Sequence, residues 1–281
     1  TSMTMLSINT NVGALKAAQA SYSVNKSMET SMQRLSTGLR VNSAADDAAG
    51  IQIANRLTAE IQGLNMSIRN AADGQALLAT AEGASKEVHT ILLRMRELAV
   101  QAANGTAAGG GDRAALKSEF DSLEAEINRI AAKTTFAGIQ LVDGSFTSKA
   151  AGRFQIGTKG TDQVLTHTIE SLNSVSIAIP AAIDLTTFTK ATSAITALDK
   201  AISNVGTERE QLGAKMNRLD HTIANLQQVA TNLATAKGRI VDADFAAETS
   251  NLARTQVLQQ ASMAMLSQAN ASKQNILALF Q

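Results

Sequence analysis

The chain has 281 residues, with 25 Lys and Arg against 24 Asp and Glu, a net charge of +1, and charged residues make up only 17% of it. That balance argues against a nucleic-acid binder with a basic face and against an acidic solvated tail. Aromatic residues are 3%, there is no Cys, and Pro180 is the single proline; an aromatic-lined ligand pocket is disfavoured, disulfides and thiolate chemistry are excluded, and very long helices are permitted.

No apolar run reaches 18 residues, so no helix is expected to span a membrane. The first residues, Thr1 to Ser7, lack the basic-then-apolar pattern of a cleaved signal peptide. Residues 12–35 read as a thin amphipathic helix, with Val12, Leu15, Ala18, Tyr22, Met28, Met32 and Leu35 at helical spacing among Gln, Ser, Asn and Thr. A break is expected at Ser36-Thr37-Gly38 and at Val41-Asn42-Ser43. Asn42 or Ser43 is the candidate cap of the next helix, with Asp46 and Asp47 in its first turn.

A long helix is predicted over about 45–103. Leu57, Ile61, Leu64, Ile68, Ala71, Gln75 and Leu78 step alternately by four and three, a coiled-coil seam, and Ile91, Met95 and Leu98 continue it in a second phase. The run from Asn104-Gly105 to Gly109-Gly110-Gly111 is expected to be a turn. Asp112 then caps a third helix with seam Leu116, Phe120, Leu123, Ile127 and Ile130, ending near Thr134-Thr135. In the middle, Arg153–Gly157 and Gln163–Ile169 flank a Gly160 turn and predict a hairpin, while alternating Val175, Ile177 and Ile179 predict a further strand closed by Pro180.

The clearest pattern runs through Ile195, Leu198, Ile202, Val205, Arg209, Leu212, Met216, Leu219, Ile223, Leu226, Ala230 and Leu233, a ladder that only Arg209 interrupts. Over residues 193–236 it gives a rod of roughly 65 Å. Arg209 is read as a snorkelling or paired residue that fixes register. The last segment, 246–281, mirrors the first: Glu248, Arg254 and Lys273 are its only charges, and Leu258, Met265, Ile276 and Phe280 form a narrow stripe. Neither terminal helix can bury enough surface alone to offset ordering entropy of about 1–2 kcal/mol per residue, so both ends are expected to order on assembly with many copies. The fold class is therefore mainly α: a long antiparallel coiled-coil bundle built from the N- and C-terminal halves, with a small β-hairpin region in the middle.

Five stretches carry a resemblance. They are LSINTNVGAL from Leu6, LSTGLRVNSAADDAAGIQIANRL from Leu35 to Leu57, RMRELAVQ from Arg94, TTFAGIQLV from Thr134, and IVDADFAAETSNLARTQVLQQASMAMLSQANASKQNILALFQ from Ile240 to Gln281. Together they resemble bacterial flagellin over about residues 5–145 and 190–281. The variable outer region of that family is here reduced to about 45 residues, and Lys273 stands where many relatives have Pro.

The resemblance implies a secreted structural subunit of the extracellular flagellar filament, used for swimming, exported unfolded and folding on assembly into an open helical homopolymer. It implies that 1–45 and 239–281 form the axial polymerisation domain, 46–145 and 191–238 the bundle, and 146–190 a reduced variable segment. It implies partners: other copies of the chain, an export chaperone on the C-terminal helix, a filament cap protein, hook–filament junction proteins, and an animal innate immune receptor. Asn42, Asp46 and Asp47 would then form the connector between inner and outer domains, and Arg94, Leu98 and Glu119 the receptor and subunit contacts.

Blander readings stand beside these. Asp46 and Asp47 are also ordinary helix-start carboxylates, and adjacent positions about 100° apart on a helix do not make a catalytic pair. Arg94 and Glu97 also suit a solvated helix face, with Leu98 in a bundle contact. His89, His167 and His221 lack metal-ligand spacing, and no cofactor or metal is expected. The alternatives are a hook–filament junction adapter, which tends to show Asp-Asp-Pro where this chain has Asp46-Asp47-Ala48, and a surface adhesin or immune-receptor ligand. An enzyme is the least supported reading, since no nucleophile–base or metal constellation is present.

Overall fold

The computed structural model describes residues 10–105, 110–146, 153–157, 164–166, 168–179 and 183–278. Five helices and two small hairpins follow in order: α1 (Val12–Thr37), α2 (Ala48–Ala102), α3 (Gly110–Lys133), β1 (Thr135–Phe136), β2 (Ile139–Gln140), β3 (Arg153–Gln155), β4 (Val164–Thr166), α4 (Phe188–Val241) and α5 (Phe245–Ala278). They divide into two compact units. One comprises the chain up to Ala59 together with the chain from Asn232 onward; the other is Glu60–Thr231.

In the 60–231 unit, α2 and α4 run antiparallel, with Gln75 opposite Asp220, Glu82 opposite Arg209, and Arg96 opposite Asp199. The heptads set the contact. Leu64, Ala71, Leu78, Ser85, Leu92 and Ala99 recur every seven residues on α2 and are all buried, as are Leu198, Val205, Leu212 and Leu219 on α4. Helix α3 adds Phe120 and Ile127, each with no exposed surface. Burial is lower toward residues 60 and 231: Ile61 and Ile68 on α2, and Ile223 and Leu226 on α4, are half-buried. Leu57, in the other unit, is half-buried too. Ile202 is also half-buried against the core.

The predicted β3–β4 hairpin is present, with Phe154 opposite Leu165; its Gly160 turn lies outside the described residues, as do Pro180 and His167. Phe154 packs on α2 at Gly74, where a Cβ would meet the ring at 3.2 Å. The hairpin β1–β2 was not expected from the sequence. Its turn is Ala137-Gly138, both with positive φ, as a two-residue hairpin loop requires.

Several sequence expectations are corrected. Val175–Ile179 is a turn rather than a strand, because Asn173 Oδ1 accepts from Ser176 N–H at 2.7 Å and Asn173 O from Ile177 N–H at 3.1 Å. Those bonds consume the groups a strand ladder would use, while Ile177 and Ile179 still reach the core. Helix α3 begins at Gly110, so Gly110 and Gly111 are helical and Asp112 lies within the first turn instead of capping it; Gly109 lies outside the described residues.

Candidate assembly interface

The other unit is built on an antiparallel pair, α1 against α5. The pairing seam of α1 is Ala14, Ala17, Ser21, Val24, Met28, Ser31 and Leu35; that of α5 is Glu248, Leu252, Thr255, Gln259, Ser262, Leu266 and Ala269, all half-buried or buried. Both step by three and four. Most of these side chains are small or polar, which lets the two helices pack closely along their length. Polar links set the register: Asn11 Nδ2 donates to Ala269 O at 3.1 Å, Gln259 Nε2 to Asn25 Oδ1 at 2.8 Å, and Arg34 lies 3.8 Å from Glu248. Asn11 also caps α1, accepting from Ala14 N–H at 3.0 Å.

Other large apolar side chains of the same helices are exposed. Val12, Leu15, Tyr22 and Met32 on α1, and Phe245, Val257, Leu258, Met263 and Met265 on α5, are each between 46% and 73% exposed. The amphipathic stripe read from residues 12–35 is thus corrected: it mixes two faces, and most of its large members do not pack on α5. Leu258 and Met265, two of the predicted polymerisation residues, lie on this outward set. The side chain of Ile276 and all of Phe280 lie outside the described residues. Met265 edges an open groove of about 530 Å³ with Gly13, Ala17, Ala20 and Ala269, small residues that leave room for a side chain from outside.

Just before the predicted connector residues Asn42, Asp46 and Asp47, the backbone forms a clasp. Gly38 ends α1 in the left-handed region, φ 72°, donating to Arg34 O at 2.9 Å. Leu39 then bridges Asp242, Arg40 N–H donates to Val241 O at 2.7 Å, and Ala243 N–H donates to Gly38 O at 2.9 Å. Val41 and Val241 are buried here. Asp46 Oδ2 accepts from Asn42 N–H, Ser43 N–H and Ser43 Oγ–H; these bonds hold its carboxyl below the ordinary range. Asp47 accepts from Gly50 N–H at 2.9 Å and precedes α2, which starts at Ala48. The cap is therefore Asp47 and not Asn42 or Ser43, and Asp46 shapes the turn before it.

Of the three candidate receptor contacts, the structure brings two together at the surface. Arg94 Nη2 lies 2.9 Å from Glu119 Oε1 and its Nη1 3.1 Å from Glu97 Oε2, and these bonds, Glu119 first, raise the guanidinium pKa. Leu98 is 1% exposed and packs in the core of the bundle, as the bundle-contact reading of this stretch expected. Sequence reasoning did not single out Glu208, a buried carboxylate on α4 that accepts from Glu170 N–H at 3.3 Å. Its place next to the seam residue Arg209 was the available signal.

The bacterial flagellin N-terminal helical region matches residues 8–147, and the bacterial flagellin C-terminal helical region matches residues 195–280. A flagellin of Halalkalibacterium halodurans is 43% identical over 276 residues, covering 98% of this chain and 99% of its own. A flagellin of Bacillus subtilis is 39% identical over 304 residues, again covering 98% and 99%. A solved structure described as a flagellar hook-associated protein from Vibrio parahaemolyticus aligns with TM-score 0.56 at 18% identity, over 70% of this chain and 100% of that one, a likeness of fold alone.

Proposed function

The chain belongs to the bacterial flagellin family and is a structural subunit of the flagellar filament; we propose that it polymerises by burying the outward faces of α1 and α5 against those of neighbouring copies. One observation carries this reading. The α1–α5 pair fills most of its own seam with small and polar residues and leaves nine large apolar side chains exposed. Burying a side chain such as Leu or Met is worth about 1.5–3 kcal/mol, whereas an Ala methyl offers about 0.8 kcal/mol. The pair thus gains little from itself against the ordering cost of its length, and gains much from neighbours. Ordering of the two ends is coupled to assembly, and contacts that do not close into a ring extend as an open helix.

The remaining assignments rest on family membership. The filament is extracellular, and the chain reaches it by export in an unfolded state. An export chaperone on α5 would shield the outward apolar set until release, and cap and hook–filament junction proteins would meet the same faces at the filament ends. Receptor recognition would fall on Arg94 and Glu119 at the surface, with Leu98 acting through the bundle. The axial domain is assigned to 1–45 and 239–281, and the bundle to 46–145 and 191–238.

The test is to salt out purified monomer and image the product by electron microscopy, beside a chain lacking residues 246–281. Filaments from the full chain and a soluble, folded, non-polymerising bundle from the truncated one are expected. Filaments from the truncated chain would overturn the proposal.

A further inference from the structure

The α1–α5 pair is almost free of charge, yet three of its ionic side chains meet in one place. A cleft of about 370 Å³ is lined by Ser27, Thr30 and Arg34 of α1 and Glu248, Asn251 and Arg254 of α5, among others. The hydroxyls of Ser27 and Thr30 donate to the carbonyls of Ser23 and Lys26, at 3.0 and 2.9 Å. The charged donors that line the cleft are the two guanidinium groups, of Arg34 and Arg254. Glu248 is buried and lies beside Arg34. Arg254 is exposed, has only the amide oxygen of Asn251 at 3.3 Å, and has no carboxylate within 4.0 Å among the described residues. The cleft holds two cations against one anion, and the second cation is unmatched.

The carboxylates of the same unit narrow the source of a partner. Asp46, Asp47 and Asp244 accept backbone N–H groups at helix starts. Asp242 lies at the clasp, its Oδ2 2.8 Å from where a Cβ on Gly238 would stand. Glu248 is already in the cleft. Glu29 is exposed and has no recorded hydrogen bond or ion pair among the described residues. It stands seven and fourteen residues beyond Tyr22 and Leu15, on the outward stripe of α1, roughly 200° around the helix from the buried Ser31 that faces α5. A single copy cannot turn Glu29 into its own cleft.

Resting on the polymerisation reading above, we infer that the Arg34–Arg254 cleft of one copy receives the Glu29 carboxylate of a second copy. The contact is heterologous: cleft and carboxylate lie on different sides of the same helix pair, so each copy gives one and takes one and the chain of contacts stays open. A guanidinium–carboxylate pair suits the task, because its paired N–H donors fix orientation as well as charge. It gives the apolar faces a register that non-directional burial cannot supply.

The full chain tests this in polyethylene glycol at low ionic strength, where an uncharged agent drives polymerisation without screening the pair. Four chains are compared: wild type, Arg254→Glu, Glu29→Arg, and the double reversal. The readout is the critical concentration from pelleted filaments, with thermal unfolding of the bundle as the control for folding. Each single reversal is expected to raise the critical concentration about tenfold or more, and the double reversal to restore it to within about threefold of wild type. Wild-type behaviour of Glu29→Arg, or a double reversal no better than either single one, would overturn the pairing. A wild-type chain that forms no filaments would instead overturn the polymerisation reading.

Discussion

Arg209 on α4 points both Nε and Nη2 at the Oε1 of Glu82 on α2, at 3.2 and 2.9 Å. It is the one break in the α4 hydrophobic ladder, and it is matched across the bundle. The pair lies between the buried residues Leu78 and Leu212 on one side and Ser85 and Val205 on the other, and is itself about one third exposed, 33% for Arg209 and 28% for Glu82. A partly solvated pair of this kind contributes little net stability, but a shifted register would leave a half-buried charge unpaired. Its principal effect is on which alignment of the two rods is favoured.

The prediction is a separation of stability from register. Arg209→Ala should cost about 1 kcal/mol. Arg209→Leu together with Glu82→Leu should leave the bundle as stable as wild type or more so. Chemical denaturation measures both. Cross-linking of cysteines introduced at Gln75 and Asp220, which hydrogen-bond at 2.7 Å, reads the register, and the double variant should cross-link less completely.

Gly74 and Gly83 stand nine residues apart on α2 and should respond oppositely to the same change. A Cβ at Gly83 meets nothing within 4 Å, whereas one at Gly74 meets the Phe154 ring at 3.2 Å. Gly83→Ala should raise stability by about 0.5–1 kcal/mol, the ordinary helix-propensity gain. Gly74→Ala should forfeit that gain, and Gly74→Leu should cost about 1–3 kcal/mol by displacing the ring. Thermal unfolding of the two alanine variants side by side decides the matter. A gain at both sites would mean that Phe154 yields freely.

Glu208 gives a pH signature. Burial is the largest influence on its carboxyl and raises its pKa above the ordinary 4.5; the Glu170 N–H and the charge of Lys215 act in the lowering direction, and the Glu170 carboxylate adds to the rise. The folded state therefore holds this proton more tightly than the unfolded chain. The contribution to stability is fully present below about pH 4.5 and is lost as pH rises through the folded value. Glu208→Gln keeps an oxygen for the Glu170 N–H and removes the charge. It should stabilise the bundle at pH 7 and lose that advantage toward pH 4, as denaturant midpoints at the two values would show. Asp184 runs the other way: its bond from Lys190 lowers its pKa to about 2, so its contribution is present above its ordinary 3.8 and fades as pH falls toward 2.

How much of this was legible depends on side-chain size. In α2 and α4 enough of the seam is Leu, Ile or Val for periodicity alone to locate Leu64, Leu198, Leu212 and Leu219, and the paired role of Arg209 followed from its place in the ladder. In α1 and α5 most of the seam is Ala, Ser, Thr or Gln, which a hydrophobicity pattern does not register, and several of the large residues it does register, Leu15, Tyr22 and Leu258 among them, are exposed. Leu98 was legible as well: the sequence placed it in the continued seam with Ile91 and Met95, and the structure encloses it. The turn at Asn173–Ile179 was hidden because an alternating run also fits a loop whose backbone is held by one Asn side chain.

The division of labour between the two units gives the last prediction. Leu219 has no exposed surface and lies in the bundle seam, whereas Leu258 is 46% and Met265 66% exposed on α5. Leu219→Ala should cost about 2–5 kcal/mol, the transfer energy plus the cavity, and lower the unfolding temperature of the monomer. Leu258→Ser with Met265→Ser removes no enclosed contact within the subunit. It should leave monomer unfolding within about 0.5 kcal/mol of wild type and yet raise the critical concentration for polymerisation by about tenfold or more, since each side chain withdraws about 1.5–3 kcal/mol of burial from the lattice. Calorimetry of the monomer and pelleting of the polymer separate the two. Unimpaired polymerisation by the double serine chain would show that the outward apolar set of α5 is not what neighbours cover.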